Sequence, residues 1–345
     1  MKTRLLSLVA LLFITSMSFA QNLQKEKVKV KYIALPSNPV PSNITTYSRR
    51  VQLPSSIADG SSRSTVESRL KSVASIPGFE LSEDANDLKV YVRSSNFYNR
   101  NFESRTVEVE EKRGEEKVKV KYYVYDVEFK MPIYYEITLK GETVSSGYAN
   151  NSNDYKKKTT QRFKTTSERY EWYKAKKSEY LKGIRESEFS ANTGVIQSFL
   201  TKNYAFLNKE FNVPVAFVKT TKKKNYDELN AISTKMVNAL NLVVAERGTC
   251  GKAYNDAAAK VIEEFSALLE KVDFKNKKAL YNKKVGAYIA ANIGILAFFQ
   301  NDFEKATEML QLADSYSKKS FIDEYKKQIG GRAARVEKYQ ASIVQ

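Results

Sequence analysis

The sequence contains no histidine, one cysteine (Cys250) and one tryptophan (Trp172) in 345 residues. Without an imidazole there is no Ser-His-Asp triad, no Cys-His pair and no His-ligated zinc or haem. No internal disulfide can form either, so Cys250 is expected to be a small buried hydrophobe. Beyond the amino terminus no apolar run approaches the roughly twenty residues that a membrane-spanning helix needs. A chain without catalytic, metal or cofactor sites and without a transmembrane span is the expectation.

Charge and aromatic surface are abundant instead. Lys and Arg number 57 against 39 Asp and Glu, a formal charge of +18, and 22 Tyr with 18 Phe supply more apolar payload than a merely solvated chain carries. At about 150 residues per domain, the length suggests two domains.

Residues 1–20 have the grammar of a cleaved secretory leader. Lys2 and Arg4 precede an apolar run from Leu5 through Ile14, and Ser18-Phe19-Ala20 offers a small-residue cleavage site before Gln21. The apolar core is about ten residues, half of a span. A lipoprotein would carry Cys where Gln21 stands. In composition this leader resembles those of exported Bacteroidota proteins, which often end in Phe-Ala-Gln; a periplasmic or secreted mature chain is what the resemblance implies.

The heptapeptide Glu-Lys-Val-Lys-Val-Lys-Tyr occurs twice, at 26–32 and 116–122. Each copy alternates apolar and Lys positions, which predicts a strand with one apolar face and one face of three ammonium groups. Further strands are predicted at 47–53, 88–92, 105–110, 117–126, 127–129, 134–139 and 143–147, with a hairpin through Lys112-Arg113-Gly114 and a tight turn at Lys140-Gly141-Glu142. A helix around Val66, Leu70, Val73 and Ala74 ends at Gly78, another runs through Val195, Phe199, Leu200 and Leu207, and a strand follows at 213–219. This order predicts an α+β domain over 21–222, a mainly antiparallel sheet with covering helices. After Lys222-Lys223-Lys224 the pattern is helical only, with helices expected at 226–246, 254–271, 275–299, 303–316 and 321–336. An all-α domain over 223–345 follows.

Asn292 to Ala306 carries the one motif. Gly294 and Ala306 are small where two helices would cross, Phe298 and Phe303 fill the space between them, Asp302 opens the second helix, and Ala313 keeps its inner face small. The segment resembles the middle of a tetratricopeptide repeat, with Asn301 in place of the usual turn Gly, Ile293 in place of Leu, and no closing Pro. The resemblance implies a helical-repeat domain that binds another protein of the cell envelope, with neighbouring helices supplying degenerate copies.

Other chemistry is weaker. Gly248-Thr249-Cys250-Gly251-Lys252 lacks the spacing of a phosphate loop and reads as a turn between helices. Ser315 and Lys318 have the spacing of a Ser-Lys pair without its companion motifs. Glu83, Asp84 and Asp87 read as a turn. The segment 151–185 holds eleven Lys and Arg against four Asp and Glu, mixed with rings. Lys156, Lys157, Lys158, Arg162, Lys164, Trp172 and Lys174 are its candidate contacts to an anionic glycan, lipopolysaccharide or nucleic acid, nucleic acid being the least expected. Against this stands a capping box, Thr165 with Glu168, followed by Tyr170, Tyr173, Lys177, Tyr180, Leu181 and Ile184 at helical spacing, which predicts a helix packing its rings on the sheet with its lysines wet.

Overall fold

The computed structural model describes residues 23–54, 63–317 and 320–344. The leader expected at 1–20, and Lys318, lie outside the described residues. In chain order the elements are β1 (Leu23–Ala34), β2 (Thr46–Gln52), α1 (Arg63–Val73), β3 (Glu80–Leu81), β4 (Leu88–Ser94), β5 (Tyr98–Asn99), β6 (Glu103–Arg113), β7 (Glu116–Lys130), β8 (Ile133–Leu139), β9 (Glu142–Tyr148), β10 (Lys156–Thr159), α2 (Thr166–Tyr204), β11 (Leu207–Val218), α3 (Asp227–Leu240), α4 (Lys252–Glu270), α5 (Lys283–Gln300), α6 (Phe303–Tyr316) and α7 (Ser320–Val344). A mixed β-sheet region is thus followed by a run of helices, a generic α+β architecture. No described helix is long and apolar enough to cross a membrane.

The chain folds as two compact units, 36–206 and a second made of residues up to 35 together with 207 onward. The boundary expected near residue 222 falls elsewhere for a physical reason. Residue 222 marks a change of secondary structure, but the strands on either side of the first unit belong to the helical one. β1 pairs antiparallel with β11 from Leu23↔Val218 to Ala34↔Leu207. Val28, Val30, Tyr32, Val213, Val215 and Val218 then bury their side chains in the same core as the helices.

In the unit 36–206, one sheet has the order β3-β2-β4-β8-β9. The pairs β2–β3 and β2–β4 are parallel, whereas β4–β8 and β8–β9 are antiparallel. A second sheet centres on β7, which pairs with β10 and β5 near its end and with β6 along 116–126. The two helical segments read around 165–184 and 195–207 are one helix of 39 residues, except that Leu207 opens β11. Its Thr165 cap accepts from Glu168 N at 3.1 Å, while the Glu168 carboxylate accepts from Lys164 N at 2.9 Å. Tyr173 and Tyr180 pack on Phe102, as the spacing predicts, but Tyr170 and Val195 are exposed.

In the other unit α5 is the central element. Every residue from Val285 to Phe299 is buried, because the sequence Val-Gly-Ala-Tyr-Ile-Ala-Ala-Asn-Ile-Gly-Ile-Leu-Ala-Phe-Phe is apolar around the whole helix rather than along one stripe. It begins at Lys283 rather than Lys275 because Asn282 caps it, accepting from Lys284 N and Val285 N. Each of α3 to α7 packs on the next, and α7 also reaches α5. The ribbon is held to the helices by Asn230 on α3, whose side chain bonds both Val218 N and Val218 O at 2.8 Å, and by Ser233 Oγ donating to Ala216 O.

Candidate functional site

The α5–α6 crossing is built from the smallest side chains of the two helices. A Cβ placed on Gly294 would stand 2.8 Å from Leu310 Cγ and 3.2 Å from Ala306 O, so only glycine admits this approach. Ala306, Leu310 and Ala313 are fully buried, and the Phe298 and Phe303 rings meet edge to face at 6.4 Å. Asp302 caps α6, accepting from Lys305 N at 3.0 Å.

Asn301 shows why the turn position need not be glycine. Its φ of 64° is left-handed, a conformation that Asn tolerates better than other non-glycine residues. Its side chain then does what glycine cannot. Nδ2 donates to Gly248 O at 3.0 Å, joining the turn to the α3–α4 loop, and Oδ1 accepts from Arg332 Nε at 3.2 Å and Nη2 at 3.0 Å.

Arg332 introduces a cleft that sequence reasoning missed. About 680 Å³ in volume, it is lined by residues 32–34 of β1 and Leu35 just beyond it, β11 residues 209–212, the Gly248–Thr249 loop, Asn301 and one side of α7. The Arg332 guanidinium lies 4.6 Å from the Phe298 ring centre, 5.2 Å from Tyr32 and 5.7 Å from Phe299. Its Nη2 also approaches Cys250 Sγ at 3.8 Å, and its Nη1 is buried without an acceptor. Arg335, one turn further along α7, donates to Leu35 O at 3.3 Å. Burial raises the Tyr32 phenol pKa, and both arginines pull it back. For the Cys250 thiol, which is buried as expected, burial raises the pKa against the pull of Arg332. The available sequence signal was Gly330-Gly331-Arg332-Ala333-Ala334-Arg335, two glycines inside a helix followed by two cations on one face.

The basic segment is organised differently. On β10, Lys156 bonds Glu188 at 2.6 Å, whereas Lys157, pointing to the opposite face, lies 3.0 Å from Asp126. Lys158 sits over the Tyr180 ring and Lys174 over Tyr170. Trp172 packs between Phe163 and Tyr180, at 5.5 and 5.3 Å. Arg162 and Lys164 are exposed beside them. Strand alternation therefore divides the three consecutive lysines between two faces, and two of them already meet carboxylates. Asp126 is the focus of this region. Burial works against its ionised form, but hydrogen bonds from Arg105, Thr159 and Lys157 outweigh it and hold its pKa down at about 2.

Ser315 is exposed at the end of α6, its hydroxyl donating to Leu312 O. Among the described residues no group of three Cys, Asp or Glu side chains is placed to hold a metal ion. Gly248 and Gly251, both at positive φ, form the predicted turn between α3 and α4. Neither a family model nor a curated protein matches the chain.

Proposed function

We propose that this chain is an exported, non-enzymatic binding protein of the cell envelope whose helical unit docks another protein in the manner of a tetratricopeptide-like stack. The observation that carries the reading is the α5–α6 crossing, where Gly294 meets Leu310 and Ala306 with no room for a Cβ. Such a crossing, joined by the two-residue turn Asn301-Asp302, makes an antiparallel helix pair. Packing of each helix on its successor from α3 to α7 supports an extended stack, the arrangement in which repeat proteins present a surface to partners. Leu242 and Val244 between α3 and α4, and Phe274 against the Tyr316 ring between α4 and α5, add exposed apolar side chains where the helices turn. The mature chain, without Lys2 and Arg4, carries a net charge of about +16, which adds a loose, salt-sensitive attraction to anionic surfaces.

The test expresses the chain from Met1, leader included, because export is part of the reading; a fragment starting at residue 223 would in addition lack β1, which belongs to the helical unit. In-cell cross-linking, with Leu242→Ser and Phe274→Ser combined as the comparison, should yield a defined adduct that the folded double variant loses. Absence of any adduct to the unaltered chain would overturn the docking reading. Amino-terminal sequencing of the exported protein should begin at Gln21; a start at Met1 would overturn the export.

A further inference from the structure

We propose that the cleft between the β1–β11 ribbon and α7 binds a small molecule through an oxyanion, a carboxylate or a phosphate. The proposal goes beyond the docking reading and does not rest on it. A volume of about 680 Å³ lies within the range of small-molecule sites. Four cations line it, Lys209, Lys327, Arg332 and Arg335, against Glu210 and Glu324. Glu210 is engaged by Lys29 at 3.3 Å, and among the described residues none of the four cations has a carboxylate within 4.0 Å. Gathering like charges in one concavity costs free energy that a bound anion recovers.

The geometry of Arg332 sharpens this. Stacked on Phe298 and tied through Nε and Nη2 to Asn301, it cannot swing into solvent, so its orientation is fixed before any ligand arrives. Its Nη1 is buried and has no acceptor, so the protein itself leaves the guanidinium charge unneutralised there. Arg335 stands one turn on, and both guanidinium groups act on the Tyr32 hydroxyl, which thereby sits in a positive field.

The glycine pair is a separate observation. A glycine inside a helix is less favourable than alanine, because it gives up more backbone freedom on folding. Around Gly330 and Gly331 nothing lies within 4 Å of where a Cβ would be, so close packing does not require them. Gly331 lines the cleft, and there its missing side chain keeps the wall open. On one α7 wall, a held guanidinium beside a side-chain-free position leaves room for an occupant larger than water.

The experiment is isothermal titration of the mature chain with inorganic phosphate and, separately, with citrate, ionic strength being matched with sodium chloride. One or both ions should bind saturably with Kd below about 10 mM, the stronger of the two identifying the oxyanion class. Lys327→Gln combined with Arg335→Gln should weaken binding roughly tenfold or more, while Lys119→Gln on β7 leaves it unchanged. Gly331→Leu, which fills the wall without altering charge, should also abolish binding and serves if the double variant does not fold. Failure of both ions to bind saturably, or equal binding by the folded double variant or by Gly331→Leu, overturns the proposal. Loss of the cross-linked partner with anion binding intact would sink the docking reading alone.

Discussion

One heptapeptide meets two fates in this molecule. In β1, Val28, Val30 and Tyr32 are 5%, 1% and 9% exposed, sealed against the helical core. In β7 the same Val-x-Val-x-Tyr runs along a two-stranded ribbon, where Val118 is 37% exposed and Val120 and Tyr122 are half-buried. Both copies keep their lysines in water, Lys27, Lys29 and Lys31 in one and Lys117, Lys119 and Lys121 in the other. Alternation therefore fixes the strand and the side on which the ammonium groups lie, while burial of the apolar side depends on what the rest of the chain brings to it. Around β1 that is a helical core; along 116–122 the strand partner is β6.

The comparison breaks most sharply under a buried charge. Val30→Asp should destabilise the helical unit by about 3–5 kcal/mol, because the carboxylate has no cation in the apolar core, whereas Val120→Asp should stay within about 1 kcal/mol. The two units can be followed separately. Trp172, the sole tryptophan, lies in 36–206 and reports that unit by fluorescence in a urea titration. Far-ultraviolet circular dichroism weights the helical one. Val30→Asp should move the dichroism transition and leave the fluorescence transition in place; equal shifts from both variants would show that the two copies are equally buried.

Removing methyl groups repeats the contrast at smaller scale. Val30→Ala should cost about 2 kcal/mol, the transfer of two methyls plus a residual cavity, and Val120→Ala less than about 0.7 kcal/mol. Urea midpoints at constant slope measure both.

Acid acts on one copy only through its strand. β7 runs on from the heptapeptide to Asp126, whose carboxylate is held by Arg105, Lys157 and Thr159. Its folded pKa of about 2 lies below the ordinary carboxylate value of 3.8, so the stability it contributes is complete above about pH 4 and disappears as pH falls through about 2. The Trp172 transition should weaken across that window, and Asp126→Asn should flatten this pH dependence while lowering stability near neutrality. An unchanged acid profile in the variant would remove Asp126 as its source.

Much of this was legible in the sequence and some was not, for reasons that follow from range. Period-two alternation marked β1, β4 and β7, apolar spacing marked α4 and α6, and a continuous apolar run marked α5, because these signals are local. Gly294, Ala306 and Ala313 were legible as a close crossing since small residues seven and twelve apart on adjoining helices have few other uses. The partnership of β1 with β11 was not, because it joins residues about 185 positions apart and leaves no local mark; hence the boundary near 222. For the same reason Arg332 passed unnoticed. Its neighbours Tyr32, Cys250, Asn301 and Phe298 come from three separated stretches, and only the glycines before it hinted at an opening. The basic segment misled in the opposite way: a run of lysines reads as one patch until strand geometry turns Lys156 and Lys157 to opposite faces.

The smallest effect separates the lysine faces themselves. Lys29 reaches Glu210 at 3.3 Å across the β1–β11 ribbon, while Lys117 and Lys121 lie 3.7 and 4.0 Å from Glu110 and Glu108 across the β6–β7 ribbon. All these side chains are substantially exposed, so the pairs are screened and each buys little. Lys29→Gln and Lys121→Gln should each change the unfolding free energy read from urea titration by less than about 0.5 kcal/mol, and the changes should fade toward zero near 1 M sodium chloride, where the Debye length is about 3 Å. The lysines then serve chiefly to keep both ribbon edges from pairing with other chains. That role has its own readout: replacing Lys117, Lys119 and Lys121 together by Thr should leave the folding midpoint nearly unchanged yet raise light scattering on concentration, because the half-exposed Val118, Val120 and Tyr122 face would lose its guard. The matching Thr replacements at Lys27, Lys29 and Lys31 should aggregate less, their valines being already covered. Equal scattering from the two triple variants would mean that edge protection does not depend on how deeply the opposite face is buried.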